Sequence, residues 1–210
     1  AGYVYVLRND GTVYFTQSGP DGWVPYGYGS DSIASSTGYV SLATGSGSTA
    51  GYVYVLRSDG RVDFTQSGPD GWMRYGYGSD SISSSDAYIG IAAGSGSTAG
   101  YVYVLRSDGN VYFTQNGPDD WAPYGYGTTL SHSPAVADLA WDSTAVYVLL
   151  EDGVVKKSTD TAGNWTSFGD AGSDTDWVSL ATGDGGYLYA LAADGQVVRS
   201  STSGSASWSS

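Results

Sequence analysis

One property constrains this chain more than any other: it repeats itself. Residues 1–49, AGYVYVLRNDGTVYFTQSGPDGWVPYGYGSDSIASSTGYVSLATGSGST, return from Ala50 as AGYVYVLRSDGRVDFTQSGPDGWMRYGYGSDSISSSDAYIGIAAGSGST. A third copy opens at Ala99 and diverges after Gly127, and two fainter copies start near Ala145 and Gly186. Copies 49 residues apart, built from short apolar runs, point to an array in which one supersecondary unit recurs. The repeats run approximately 1–49, 50–98, 99–144, 145–185 and 186–210, within a single domain.

Inside the first copy every run reads as a strand. Tyr3–Leu7 is a β-branched and aromatic stretch too short for a helix. Asp10-Gly11 supplies the positive-φ corner of a tight hairpin, and Thr12–Thr16 returns as its second arm. Trp23–Tyr26 follows a Gly-Pro-Asp-Gly turn, and Tyr39–Thr44 completes the period. The Asp-Gly corner recurs at Asp59, Asp108, Asp152 and Asp194. Four antiparallel strands per period, set radially, make a propeller blade. We label the strands A to D from the axis outward and take Tyr39–Thr44 as an A strand, because its small Ser41 and Ala43 suit a crowded centre.

The predicted fold is therefore all-β: a five-bladed β-propeller of four-stranded antiparallel blades. B strands occur five times, at Tyr3, Tyr52, Tyr101, Val146 and Tyr187, but A strands only four times, at Tyr39, Tyr88, Val136 and Trp177. The first blade is thus expected to lack its inner strand. An open strand edge invites pairing, so a homo-oligomer, or a neighbouring chain that supplies a strand, is an expected partner. On strand C, Tyr14 of the first copy becomes Asp63 in the second. A carboxylate in a dry core is costly, which predicts a wet face there.

An eight-residue frame follows each C strand: Thr16 to Trp23, Thr65 to Trp72, Thr114 to Trp121, Ser158 through Asp160 to Trp165, and Ser201 to Trp208. This frame resembles the Asp-box of sialidase-type and BNR-repeat propellers, Ser-x-Asp-x-Gly-x-Thr-Trp. The resemblance implies a turn between strands C and D whose first and third side chains bond turn amides, with the tryptophan packed beneath the hairpin. Its role is that of a staple, outside any active site. Size and blade count are similar to those of tachylectin-type five-bladed lectins.

Composition narrows the function. The formal charge of -13, with eight Lys plus Arg, opposes nucleic acid and anionic membrane surfaces, whose recognition needs clustered basic side chains. No apolar run reaches the roughly 18 residues that membrane insertion requires. Without cysteine there are no disulfides, thiolate metal sites or thiol nucleophiles. Asp-box sialidases need an arginine triad, a tyrosine–glutamate pair and an acidic donor. Here Glu151 is the one glutamate, and Asp138 with Asp142 are the acids on or beside an A strand. His132 is the one histidine. The reading is a non-enzyme, with an Asp-box glycosidase as the remote alternative.

A binding module fits better. The rim that carries the B–C turns and D–A loops offers repeat-related triplets: Arg8, Tyr28 and Asp31; Arg57, Tyr77 and Asp80; then Arg106 and Tyr126. Aromatic faces stack on sugar rings while charged groups fix hydroxyls, and repeated weak sites gain avidity. The expectation is a lectin-like protein, extracellular or at the cell surface, whose partners are glycans or glycoconjugates. A cell-surface adhesin or an assembly subunit joined through the open edge is the alternative. The same arginines also have a structural reading, pairing with the Asp-Gly carboxylates. No cofactor is expected, with Asp170, Asp174 and Asp176 the candidate ligands if Ca²⁺ is bound.

Overall fold

The computed structural model describes residues 3–8, 10, 12–17, 22–26, 38–58, 60–66, 71–75, 87–115, 121–124, 135–159, 164–172, 176–183, 185–204 and 206–210. Eighteen strands form five small antiparallel sheets among these residues, each a blade of a five-bladed propeller. Blade one holds β1 (Val4–Leu7), β2 (Val13–Thr16) and β3 (Val24–Tyr26), corresponding to strands B, C and D. Blade two holds β4 (Tyr39–Thr44), β5 (Val53–Arg57), β6 (Val62–Thr65) and β7 (Met73–Tyr75). Blade three repeats this as β8 (Tyr88–Ala93), β9 (Val102–Arg106), β10 (Val111–Thr114) and β11 (Ala122–Tyr124). Blade four has β12 (Val136–Trp141), β13 (Val146–Leu150), β14 (Val154–Ser158) and β15 (Thr166–Asp170). Blade five has β16 (Trp177–Gly183), β17 (Tyr187–Ala192) and β18 (Val197–Ser201), and an Arg199–Ser209 bridge stands where its D strand would start.

The hairpin chemistry works as the residues suggest. Gly60, Gly109, Gly153 and Gly195 all have φ between 82° and 90°, which an L side chain resists. The aspartate before the glycine caps the corner: Thr12, Asn110, Val154 and Gln196 each donate a backbone N–H to the turn carboxylate at 2.8–3.0 Å. The A–B connection is not a plain hairpin, because a single 3₁₀ turn (Gly47–Thr49, Gly96–Thr98) closes it in blades two and three.

Each A strand carries a bulge after its first residue, between Tyr39 and Ser41, Tyr88 and Gly90, Val136 and Asp138, and Trp177 and Ser179. A bulge adds local twist and bends the strand, and here it recurs at one level around the axis. The cores lie between blades. Tyr54, Leu56 and Val62 of blade two pack on Tyr88, Ile91, Val102 and Val104 of blade three, and the same arrangement joins blades one and two, three and four, and four and five.

Two expectations change here, and the contacts of the frame tryptophans add to a third. Asp63 does not face water; it is 3% exposed. Arg61 pairs with it at 2.7 Å and Tyr39 donates its hydroxyl at 3.1 Å, so the carboxylate is compensated in place. The tryptophans of the repeated frame reach across to the neighbouring blade. Trp72, Trp121, Trp165 and Trp208 meet Tyr26, Tyr75, Tyr124 and Phe168 of the preceding blade edge-on, at centroid distances of 6.1–6.4 Å. Finally, the frame in the fifth repeat starts at Ser200 rather than Ser201. Ser200 pairs opposite Leu188 as Thr65 does opposite Val53, it is buried like Thr16, Thr65, Thr114 and Ser158, and its Oγ accepts the Ser207 N–H at 2.9 Å. The turn there is one residue longer, which hid the shift.

Candidate functional site

The rim that carries the B–C turns is where the sequence placed a site. Arg8, Arg57 and Arg106 all stand at the ends of B strands. Arg106 is held on three sides. It pairs with Asp108 at 2.8 Å, donates to the Tyr112 hydroxyl at 3.0 Å, and lies over the Tyr88 and Tyr112 rings at 6.0 and 5.6 Å. Burial opposes the charge of Asp108, but the Asn110 bonds and Arg106 together hold its carboxyl below the usual range. Arg8 repeats this with Asp10 at 3.3 Å and the Tyr14 ring at 5.6 Å, more loosely, with 53% of its side chain exposed against 14% for Arg106. The guanidinium groups described here are thus committed within their own blades. Tyr28, Asp31, Tyr77, Asp80 and Tyr126, with His132 and the frame's Asp160, lie outside the described residues.

The concave surface lies at the axis and at the rim of the A–B turns. Ala43, Ala92, Ala140 and Ala181, one from each inner strand, line a channel of about 370 Å³ with Tyr3 and Tyr5 of blade one. Its mouth widens to about 720 Å³ between Ser46, Ser95, Asp142, Thr144 and Thr202, a hydroxyl-rich collar. Beside it, at the junction of blades one and two, lies a cleft of about 650 Å³ with Tyr3, Tyr5, Phe15 and Tyr52 on its walls and Gln17 and Gln66 at its edge.

The cleft is built by the repeat itself. Tyr5 stacks on Phe15 at 6.0 Å, Tyr26 meets both edge-on at 5.2 Å, and Tyr3 leans against the pair. The same four-ring cluster occurs as Tyr52, Tyr54, Phe64, Tyr75 and as Tyr101, Tyr103, Phe113, Tyr124. Burial pushes the phenol of Tyr75 up to about 12 and those of Tyr54 and Tyr103 higher still, so these rings serve as neutral surfaces. Gln17, Gln66 and Gln115 follow the C strands of blades one to three, directly after Thr16, Thr65 and Thr114. Reading the frame as a staple passed over them, since they occupy its unspecified second place. Their recurrence beside the aromatic run was the available signal.

The two acids near the axis have clear local duties. Asp138 joins two inner strands: its carboxylate accepts the Ser179 hydroxyl and the Leu180 N–H, both at 3.0 Å, and its own Leu139 N–H at 2.8 Å. By exposed area Asp138 is only partly buried, but it lies on β12 between the inner strands β8 and β16, and this desolvation lifts its pKa to about 6 against those three bonds. Asp142 caps its turn through the N–H groups of Thr144 and Ala145 and accepts the Tyr147 hydroxyl at 2.9 Å. Of the candidate calcium ligands, Asp170 accepts the Gly172 N–H at 2.8 Å, Asp176 accepts the Ala193 N–H on its carbonyl, and Asp174 lies outside the described residues. No group of three acidic or histidine side chains suited to a metal ion occurs among the described residues. No helix among the described residues is long and apolar enough to cross a membrane.

No protein-family model matches the chain, and no curated protein matches it in sequence. Solved structures do match in shape. YCF48 bound to D1 peptide aligns with a TM-score of 0.62 at 13% identity, covering 98% of this chain and 63% of that one. Virginiamycin B lyase from Staphylococcus aureus aligns at 0.61 and 15% identity, over 98% of this chain and 68% of the lyase. A chain of the nidogen/laminin complex aligns at 0.69 and 10% identity, over 95% and 72%. The chain thus spans somewhat under two thirds of the length of the YCF48 chain. At such identities the likeness establishes the propeller and nothing finer.

Proposed function

We propose that this propeller is a non-catalytic, lectin-like carbohydrate-binding module acting outside the cell or at its surface. The observation that carries the reading is the cleft between blades one and two, where Tyr3, Tyr5, Phe15 and Tyr52 present ring surface and Gln17 and Gln66 present amides. A sugar needs an apolar platform for its C–H face and neutral donors and acceptors for its hydroxyls, and this lining supplies both. A cleft of about 650 Å³ suits a short oligosaccharide. This moves the proposed site to the rim opposite the one with Arg8, Arg57 and Arg106, whose guanidinium groups are engaged internally.

The non-catalytic part of the reading is supported by Asp138, tied into bonds that join two inner strands, and by Asp142, tied into bonds that cap its turn. The Asp-box likeness belongs to the same proposal, with the buried hydroxyls of Thr65, Thr114 and Ser158 as its structural anchor. A glycan array followed by titration calorimetry tests it. Tyr52→Ala and Gln17→Ala are expected to weaken the best ligand at least tenfold. Loss on Arg57→Ala with Tyr77→Ala instead would return the site to the other rim, and an array without ligands would end the lectin reading.

A further inference from the structure

The A–B turns around the channel mouth are not alike. In blade two Gly45 donates its N–H to the Tyr52 carbonyl across six residues (46–51), and blade three repeats this with Gly94 and Tyr101. In blade four Asp142 donates to Ala145 across two residues (143–144). In blade five Gly183 pairs with Tyr187 across three (184–186). The inner strands and short turns of blades four and five supply most of the wall of the 720 Å³ collar, through Asp142, Thr144, Thr182, Gly186 and Thr202 among others.

The hydroxyls on that wall are already aimed. Thr182 donates to the Trp141 carbonyl at 2.8 Å, Thr202 to the Gly186 carbonyl at 3.1 Å and Thr144 to the Asp142 carboxylate at 2.8 Å. Each has given its single proton to the protein, so the lone pairs that remain can only accept. The turn that carries Thr144 is held in an uncommon shape. Among the described residues Ser143, at its tip, is the one non-glycine with a positive φ, 82°. Such a residue persists where its surroundings fix it, and Asp142 does so. Its Oδ1 accepts the Thr144 and Ala145 N–H groups and its Oδ2 accepts the Tyr147 hydroxyl. Burial opposes the charge of Asp142, but these donors together hold its carboxyl below the usual range. The one carboxylate of the collar is thereby satisfied, and no Lys or Arg among the described residues lines it.

One donor is left over. Trp141 lines both the collar and the channel, with its ring stacked on Tyr103 at 4.9 Å. Its buried indole N–H has no partner among the described residues. A buried donor is costly to leave unmade, and an oxygen entering beside that ring would satisfy it.

We propose that the collar is a second carbohydrate subsite, which takes one neutral sugar residue end-on at the mouth of the channel. The sugar's hydroxyls donate to the acceptor lone pairs of Thr144, Thr182 and Thr202, and one of its oxygens accepts from Trp141. A formal charge of -13 turns anionic sugars away, so the subsite selects uncharged ones. The proposal deepens the carbohydrate reading and rests on it, but it needs none of the aromatic walls of the cleft. Thr44 borders both cavities, which puts the two subsites within one oligosaccharide's reach.

The test titrates the isotope-labelled protein with the methyl glycosides of glucose, galactose, mannose and xylose, and with glucuronate as the charged control. At least one neutral glycoside is expected to shift the Trp141 indole N–H and the Gly185 and Gly186 amides saturably, and glucuronate is expected to leave them in place. Thr182→Val and Thr202→Val delete an acceptor at nearly constant shape and are expected to weaken that binding at least tenfold. Trp141→Phe keeps a ring but removes the N–H, so it should weaken binding too and covers the case in which a valine variant fails to fold. Shifts confined to Tyr52, Gln66 and their neighbours overturn the collar and leave the cleft standing. No shift at either place ends the carbohydrate reading and this proposal together. Folded variants that bind as well as the parent, or glucuronate binding as tightly as the neutral sugars, also overturn it.

Discussion

At the scale of single residues, Asp138 and Asp63 show two ways of keeping a carboxylate inside a propeller. Asp63 has a cation, Arg61, at 2.7 Å. Asp138 has only hydroxyl and amide donors, and enclosure raises its pKa to about 6. A raised acid binds its proton more tightly when folded, so between about pH 4 and 6 the folded state holds more protons than the unfolded one. Stability is therefore expected to rise as pH falls from 7 toward 4, by up to about 3 kcal/mol. Below that range the depressed Asp10, Asp108 and Asp142 act in the opposite sense, and stability falls again. Urea titrations from pH 4 to 7 should show this slope in the parent and its loss in Asp138→Asn. Asp63 gives a separate prediction. Arg61→Ala strands a buried carboxylate and should cost about 2 kcal/mol. Adding Asp63→Tyr, the residue of the first and third copies, should restore most of it, since the uncompensated charge is then gone; an uncorrected double mutant would refute the pairing argument.

At the scale of elements, identical substitutions should behave differently on sealed and open blade faces: Leu56 is 0% exposed, and its counterpart in blade five, Leu191, 38%. Leu56→Glu places a charge in a dry interface and is expected to unfold the protein near room temperature, whereas Leu191→Glu should shift stability by less than about 0.5 kcal/mol. The corner glycines allow a finer comparison. Gly60 and Gly195 share a positive φ, so Ala strains both alike, but only at Gly60 does the new Cβ strike a ring. Gly60→Ala should therefore be the more destabilising by about 1–3 kcal/mol in chemical denaturation; equal effects would mean that Tyr88 yields freely. Elements were also the scale at which the sequence was most legible. Strand Tyr39–Thr44 and the Asp-Gly corners emerged directly, because alternation and positive φ are local demands. The tryptophan contacts and the Arg61–Asp63 pair did not, since one crosses between repeats and the other needs the change from Thr12 to Arg61 to be read together with that from Tyr14 to Asp63. The cleft was missed for a related reason: Gln17 and Gln66 become neighbours of Tyr3 and Tyr52 only once two blades are placed side by side.

At the scale of the whole molecule, stability is the sum of junctions between neighbouring blades, and blades one and five are each packed on one face among the described residues. Blades two, three and four are covered on both faces. Amides of β1 and β18 are thus expected to exchange well before those of β9 and β13, and uniform protection would contradict a ring held together junction by junction. The outer edge of blade one has an optical consequence as well. Of the frame tryptophans, Trp23 has no aromatic partner among the described residues and stands 40% exposed. A partner surface seated against that outer edge would take the indole out of water. The emission maximum of Trp23, read against a Trp23→Phe blank, is thus a built-in gauge that tells a bare outer edge from a covered one.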